Sequence, residues 1–213
     1  PNTSARSRDY SDTRALARPG HADYTAFCKY HGYEDYRGGG HFSGRITTGL
    51  AAAGAIAITA LKKKGINIGT HISELGGIKD RSFDNIASDI TELNKKLFAV
   101  LDEKAAEEMY KKIEETAAQG DSIGGILESV ITGVPAGVGE PWFDTVEGLL
   151  AHALFSIPAI KGVEFGGGFE LAKLCGSSAN DSFCMNEGRI ETRTNNNGGI
   201  NGGITNGMPI VFR

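Results

Sequence analysis

The sequence is sparing with the residues that build cross-links and metal centres. Its 213 residues contain three cysteines, Cys28, Cys175 and Cys184. An odd number without Cys-x-x-Cys spacing excludes a disulfide framework and a zinc cluster, and reads as reduced thiols in a cytoplasmic protein. No His-x-x-x-His pair occurs, so no metal site is expected. No GxxxxGK[ST] run is present, which excludes a P-loop kinase. Gly166-Gly167-Gly168-Phe169 is not a dinucleotide fingerprint, for it lacks a following strand with an acidic end. No apolar run approaches the ~20 residues that span a bilayer, and no signal peptide is visible, so no membrane role is expected. Excess positive charge is lacking too: 22 basic residues face 26 acidic ones, a net charge of −4. The basic residues are scattered, and Lys62-Lys63-Lys64 is a solvated helix end, so no nucleic-acid face is expected. An anion would have to be bound by a local field of a few arginines.

Glycine is what the chain has in plenty. It supplies 30 residues, about twice the usual ~7% share, without a repeat. That composition calls for tight turns and close backbone approaches within one globular domain over 1–213, long enough to bury a core. Residues 1–17 are polar, and Pro1-Asn2-Thr3 reads like the interior of a longer protein.

From Thr47 to Lys64 an alanine- and glycine-rich run predicts a thin helix, stopped by Gly65. Ile66, Ile68, Thr70 and Ile72 alternate as a strand. Ile86, Ile90, Leu93 and Leu97 recur at helical spacing. Asp102 is placed to cap a further helix with Ala105, Met109 and Ile113 inward and Gly120 as terminator. Gly125 to Val134 is rich in β-branched residues and reads as a strand. Asp144-x-x-Glu147 resembles a capping box opening a helix that Pro158 closes. Short strands at Val163–Phe165, Ile190–Thr194 and Pro209–Arg213, a short helix at Phe169–Leu174, a loop over 176–181 and a glycine-asparagine loop at Asn195–Gly207 complete the expectation. Strands separated by helices of unequal length predict an α+β fold of antiparallel sheets packed on helices.

The chemistry is expected between Arg18 and Arg45. Arg18 precedes the Pro19-Gly20 turn that presents His21, and Gly38-Gly39-Gly40 lets backbone approach a ligand. His41, Phe42, Ser43, Gly44 and Arg45 then lead into a predicted helix whose free N–H groups attract phosphate or carboxylate. A histidine near two guanidinium groups suggests proton transfer on an anionic substrate. Taken singly, each feature also has a plain meaning: a turn, a flexible loop, a hydrogen-bonded side chain. His31, His71 and His152 are read as structural or surface residues, and Trp142 as core or interface packing.

Arg18-Pro19-Gly20-His21-Ala22-Asp23-Tyr24, Asp35-Tyr36-Arg37-Gly38-Gly39-Gly40 and Ser43-Gly44-Arg45-Ile46-Thr47 together resemble chorismate synthase. Collinear matches continue through Asp121-Ser122-Ile123-Gly124-Gly125, Gly139-Glu140-Pro141-Trp142-Phe143-Asp144, Ser156-Ile157-Pro158-Ala159-Ile160-Lys161-Gly162-Val163-Glu164 and the glycine-rich run 198–207. The resemblance implies a β-α-β sandwich, antiparallel sheets around a helical layer. It implies a carbon–oxygen lyase of the shikimate pathway: anti-1,4-elimination of phosphate from 5-enolpyruvylshikimate 3-phosphate, giving chorismate and dependent on reduced FMN. It further implies a cytoplasmic homotetramer serving aromatic amino acid biosynthesis.

Carried over by motif, His21 is the catalytic histidine beside the flavin, and Arg18 and Arg45 bind substrate carboxylates or phosphate. Flavin contacts come from His41, Phe42, Ser43, Pro158, Ala159 and Gly202. His41-Phe42 departs from the small or basic residues common in the family and should alter the flavin edge. The family's Ser-His-Gly motif with its second histidine, and its Lys-Pro-Thr and Arg-His-Asp segments, do not occur in these 213 residues. The resemblance is therefore to an incomplete core, and the alternative is a non-catalytic fragment that folds and oligomerises without a complete site.

Overall fold

The computed structural model describes residues 16–213; the opening stretch read as polar chain interior falls on 1–15, outside the described residues, and on its last two positions. Two compact units emerge, Pro1–Ile56 with Ile157–Ala159, and Ala57–Ser156 with Ile160–Arg213.

In the first unit the Pro19-Gly20 turn runs into a helix that the sequence did not announce, α1 (Asp23–Tyr30). Ala22 stands at its N-cap without a capping side chain, and His31 closes it in the left-handed region with φ 54°. Gly38, Gly39 and Gly40 follow with φ of 60°, 82° and 50°, an irregular turn that L-residues adopt only at a cost. The glycines do not themselves open the long helix. Ser43 intervenes, its hydroxyl accepting from Arg45 N at 3.4 Å, and caps a single 3₁₀ turn, Gly44–Ile46. Only then does α2 (Thr47–Lys62) begin.

No residue of α2 is buried. Counted from Gly44 it runs 19 residues with mean hydropathy 1.3, long and apolar enough by length and composition to cross a membrane. The expectation that no run approaches this length is corrected. The apolar residues of α2, six alanines with Leu50, Ile56, Ile58 and Leu61, are interspersed with glycines and threonines, so the stretch does not stand out by eye.

The second unit is built on β1 (Asn67–Leu75), whose β-branched Ile68, Thr70 and Ile72 suit a pleated strand. Gly76 and Gly77, with φ 57° and 86°, turn it into β2 (Ile78–Lys79). β3 (Gly125–Thr132) pairs antiparallel with β1 from Asn67↔Thr132 to Leu75↔Gly125. Ser73 is an extra residue in that ladder, because Ile72 faces Leu127 and Glu74 already faces Ile126. Its hydroxyl donates to Ile126 O, and the Ile72 amide turns instead to Ala99 O at 2.7 Å.

Helix α3 (Ile86–Leu93) starts at Asn85, whose side chain accepts from Ser88 N, and crosses β1 where a Cβ on Gly69 would lie 2.7 Å from Ile90. α4 (Glu103–Ala118) is capped by Asp102, which accepts from Lys104 N and Ala105 N. Met109 is fully buried, clustered with Val100, Ala105 and Ala106 beneath Ile72, Leu75, Ile78 and Phe98.

α5 (Val146–Leu154) is capped one residue later than the sequence suggested. Thr145, not Asp144, accepts from Gly148 N at 2.9 Å. Trp142 lies outside the core, 84% exposed. The expected strand at Val163–Phe165 reduces to one bridge, Phe165↔Phe212, although Glu164 and Arg213 exchange both backbone hydrogen bonds at 2.8 Å.

The segment expected as loop over 176–181 holds a short helix, α6 (Gly176–Ala179). After it the strand expected at Ile190–Thr194 forms as β5 (Arg189–Thr192), in an unforeseen hairpin with β4 (Phe183–Asn186). The glycine-asparagine loop contains a miniature hairpin, β6 (Ile200–Asn201) with β7 (Ile204–Thr205). β8 (Ile210–Phe212) then completes a four-stranded sheet in the order β2-β1-β3-β8. Its described pairings are all antiparallel. The fold is α+β, as the sequence predicts.

Candidate functional site

His21 stands between the Pro19-Gly20 turn and the start of α1, and the residues around it are placed by local geometry. The carboxylate of Asp23 reaches back over this turn. Its Oδ2 accepts from Arg18 Nε at 2.8 Å and from the Arg18 amide at 2.9 Å. Its Oδ1 accepts from Arg18 Nη2 at 2.9 Å and lies 2.6 Å from His21 Nδ1. Arg18 Nη2 in turn is 3.1 Å from Nδ1 and 3.3 Å from Nε2 of the imidazole. Hydrogen bonds from Arg18 hold the Asp23 carboxyl well below the usual carboxylate range, outweighing desolvation. An ionised carboxylate only accepts, so the proton on His21 is assigned to Nδ1 and the lone pair to Nε2.

Nε2 faces the glycine turn. A Cβ built on Gly39 would lie 3.2 Å from His21 Nε2 and 3.6 Å from Ser43 Cβ. Gly39 is buried, and a Cβ on Gly40 would come 2.5 Å from the Asp35 carbonyl oxygen. Asp35 itself accepts from the Arg37 amide at 3.1 Å and from Arg37 Nε at 2.8 Å, fixing the approach to the turn. Arg45 folds back over the same turn, Nη1 donating to Gly38 O at 3.3 Å. Arg18, His21 and Arg45 are thus gathered about Gly38 and Gly39. Of the residues expected to hold a cofactor, His41, Phe42 and Ser43 sit on this segment, and Phe42 leaves 40% of its surface exposed.

Pro158 and Ala159 group with the same unit, and Ala159 adopts φ 70°, a conformation an alanine takes only when its surroundings impose it. Gly202 belongs to the other unit, with φ 61° and nothing within 4 Å of where a Cβ would stand, so its backbone is open to a ligand. His31 and His152 are exposed. His71 is buried at 1% exposure between Asp80 and Glu128. Among the described residues no cluster of His, Cys, Asp and Glu could hold a metal ion.

Asp23 is the site residue that the sequence reading missed. Its signal was a carboxylate two residues beyond the histidine and five beyond the arginine, on a first helical turn that was itself not expected.

A family model described as Chorismate synthase matches residues 1–213. The chain is 46% identical to the chorismate synthase of Thermococcus gammatolerans over 217 residues, covering 100% of this chain and 58% of that protein. It is 47% identical to that of Thermococcus kodakarensis over 204 residues, 96% of this chain and 56% of the other. To that of Methanosarcina barkeri it is 48% identical over 214 residues, with 100% and 58% covered. A solved structure titled Crystal Structure of Chorismate Synthase superposes with a TM-score of 0.79 at 33% identity, covering 88% of this chain and 60% of that one. The chain spans a little under three fifths of the length of these curated relatives. With the motifs, the α+β fold and the match over its whole length in agreement, this chain belongs to the chorismate synthase family.

Proposed function

We propose that this chain is the central portion of a chorismate synthase, a lyase that eliminates phosphate from 5-enolpyruvylshikimate 3-phosphate to give chorismate. The observation that carries the reading is the gathering of His21, Arg18 and Arg45 about one glycine turn. A substrate with two carboxylates and a phosphate needs fixed, always-charged partners. Arg45, on the turn that leads into α2, is assigned to the phosphate or a carboxylate, and Arg18 to a second anionic group. His21 holds or releases a proton at Nε2.

The residues present suit FMN. An exposed Phe42 ring and the His21 imidazole fit a flat aromatic system, and the left-handed Ala159 of the same unit offers backbone for close approach. Reduced FMN, when bound, supplies transient electron density to the substrate while phosphate departs. The chain's own work is to bind and orient the anions, to stabilise the charge on the departing phosphate, and to manage the proton at Nε2. Residues 1–213 are assigned the role of an incomplete core, with the remaining catalytic groups in segments of the longer relatives that this chain does not match. In the cell the protein is assigned to the cytoplasm as a homotetramer.

The test is anaerobic chorismate formation with reduced FMN by the full-length protein, compared with its His21→Ala variant. Flavin fluorescence, titrated with and without the phosphorylated substrate, reads binding separately. A His21→Ala variant with undiminished turnover would falsify the assignment.

A further inference from the structure

The proton bookkeeping of the His21 turn depends on a side chain that the motif assignment leaves without a role. Asp23 lies in the first turn of α1, where a negative charge is favourable by itself. Its oxygens nonetheless accept from Arg18 and His21, four contacts between 2.6 and 2.9 Å, and the residue before it makes no side-chain cap. A carboxylate that only stabilised the helix would point at the helix N–H groups. Here it turns the other way, toward the imidazole.

Two physical consequences follow. First, an acceptor at Nδ1 fixes the imidazole as the Nδ1–H tautomer and leaves Nε2 as the basic atom, on the side of Gly39. Second, the guanidinium of Arg18 lies within 3.3 Å of both ring nitrogens. Asp23 is the anion shared between them, its oxygens contacting both the guanidinium and Nδ1.

Resting on the function proposed above, we propose that Asp23 is a positioning residue for that reaction. It holds His21 as the Nδ1–H tautomer and locks Arg18 beside it, so that the proton is exchanged at Nε2. Asparagine at this position keeps the shape but loses the charge, and its amide can also donate to Nδ1, which would favour the opposite tautomer.

Nitrogen-15 NMR of the histidine side chains, assigned by the loss of one signal in His21→Ala, reads the tautomer without any turnover. The wild-type full-length protein should show His21 as the Nδ1–H form, and Asp23→Asn a mixed or inverted population. In the same proteins kcat should fall about 100-fold or more in Asp23→Asn and be partly restored in Asp23→Glu, which keeps the charge. A wild-type His21 in the Nε2–H form overturns the proposal, and so does an Asp23→Asn variant with the wild-type tautomer. Undiminished turnover by His21→Ala would instead remove the catalytic reading, and this role with it, while the tautomer data would still report on Asp23.

Discussion

His21 and Gly39 are in contact through an atom that Gly39 does not have: a Cβ there would sit 3.2 Å from Nε2. The missing methyl group is the space against which the imidazole rests. Gly39→Ala should therefore move His21 as well as strain a backbone at φ 82°, the latter costing about 1–2 kcal/mol. Turnover of the full-length protein should fall by more than the change in thermal stability explains. Gly40→Ala meets the Asp35 carbonyl at 2.5 Å, cannot be relieved by a side-chain shift, and should destabilise more. Thermal melts of the two variants check the order.

Arg45 is assigned to an anion of the ligand, so Arg45→Ala should weaken binding of the phosphorylated substrate about 10- to 100-fold. Melting temperature should scarcely move, because the hydrogen bond from Arg45 Nη1 to Gly38 O that is lost within the turn is an exposed one. Isothermal titration of the full-length protein with the substrate, in the presence of FMN, measures the change. Equal affinity in wild type and variant would refute the assignment.

Two substitutions in the second unit separate packing from chemistry. Met109→Ala empties a fully buried position in the α4 cluster and should cost about 2–5 kcal/mol. Gly69→Ala would drive a methyl into Ile90, 2.7 Å away, and force α3 off β1 for about 1–3 kcal/mol. Denaturant melts should show both losses, while flavin binding per folded molecule stays unchanged.

The buried His71 gives stability a pH dependence of definite sign. Burial opposes its charge, but hydrogen bonds from the imidazole to Glu128 and Asp80 outweigh this and raise its pKa above 6.5. The raised value means that its contribution is fully present below pH 6.5 and is lost as pH rises through the folded-state pKa. Glu128, held below 4.5 chiefly by His71 and further by Arg213, behaves in the opposite sense. Its contribution is present above pH 4.5 and is lost as pH falls through its depressed value. Stability should peak between these limbs, and His71→Gln should flatten the alkaline one. Melting temperature against pH for both proteins provides the check.

What could be read ahead of the coordinates was whatever depended on near neighbours in the chain. Asp102 and the spacing to Met109 announced α4, and the β-branched run announced β3, because capping and periodicity act within a few residues. α1 was hidden, since Ala22 carries no cap and its apolar residues form no clear stripe. Of the β4–β5 hairpin only the second strand was legible, because its turn uses Glu187 with φ 47° before Gly188, where an asparagine would have been the recognisable sign. At α5 two candidate caps stood side by side, and backbone geometry chose Thr145 over Asp144. In the candidate site, Arg18, His21 and Arg45 are singled out by their motifs. The Asp23 contact required α1 first, and the pairing of His71 with Glu128, 57 residues away, required the register of a sheet.

That register has one irregularity, at Ser73, with a price in sequence tolerance. Ile72 and Leu75 are three apart, an odd step that would send them to opposite sides of a regular strand, yet both rest on the Met109 cluster. The supernumerary serine resets the alternation between them. Shortening the chain by that one residue would leave every amino acid chemically intact and still put the two halves of β1 out of phase, so that one of these two side chains swings away from α4 into water.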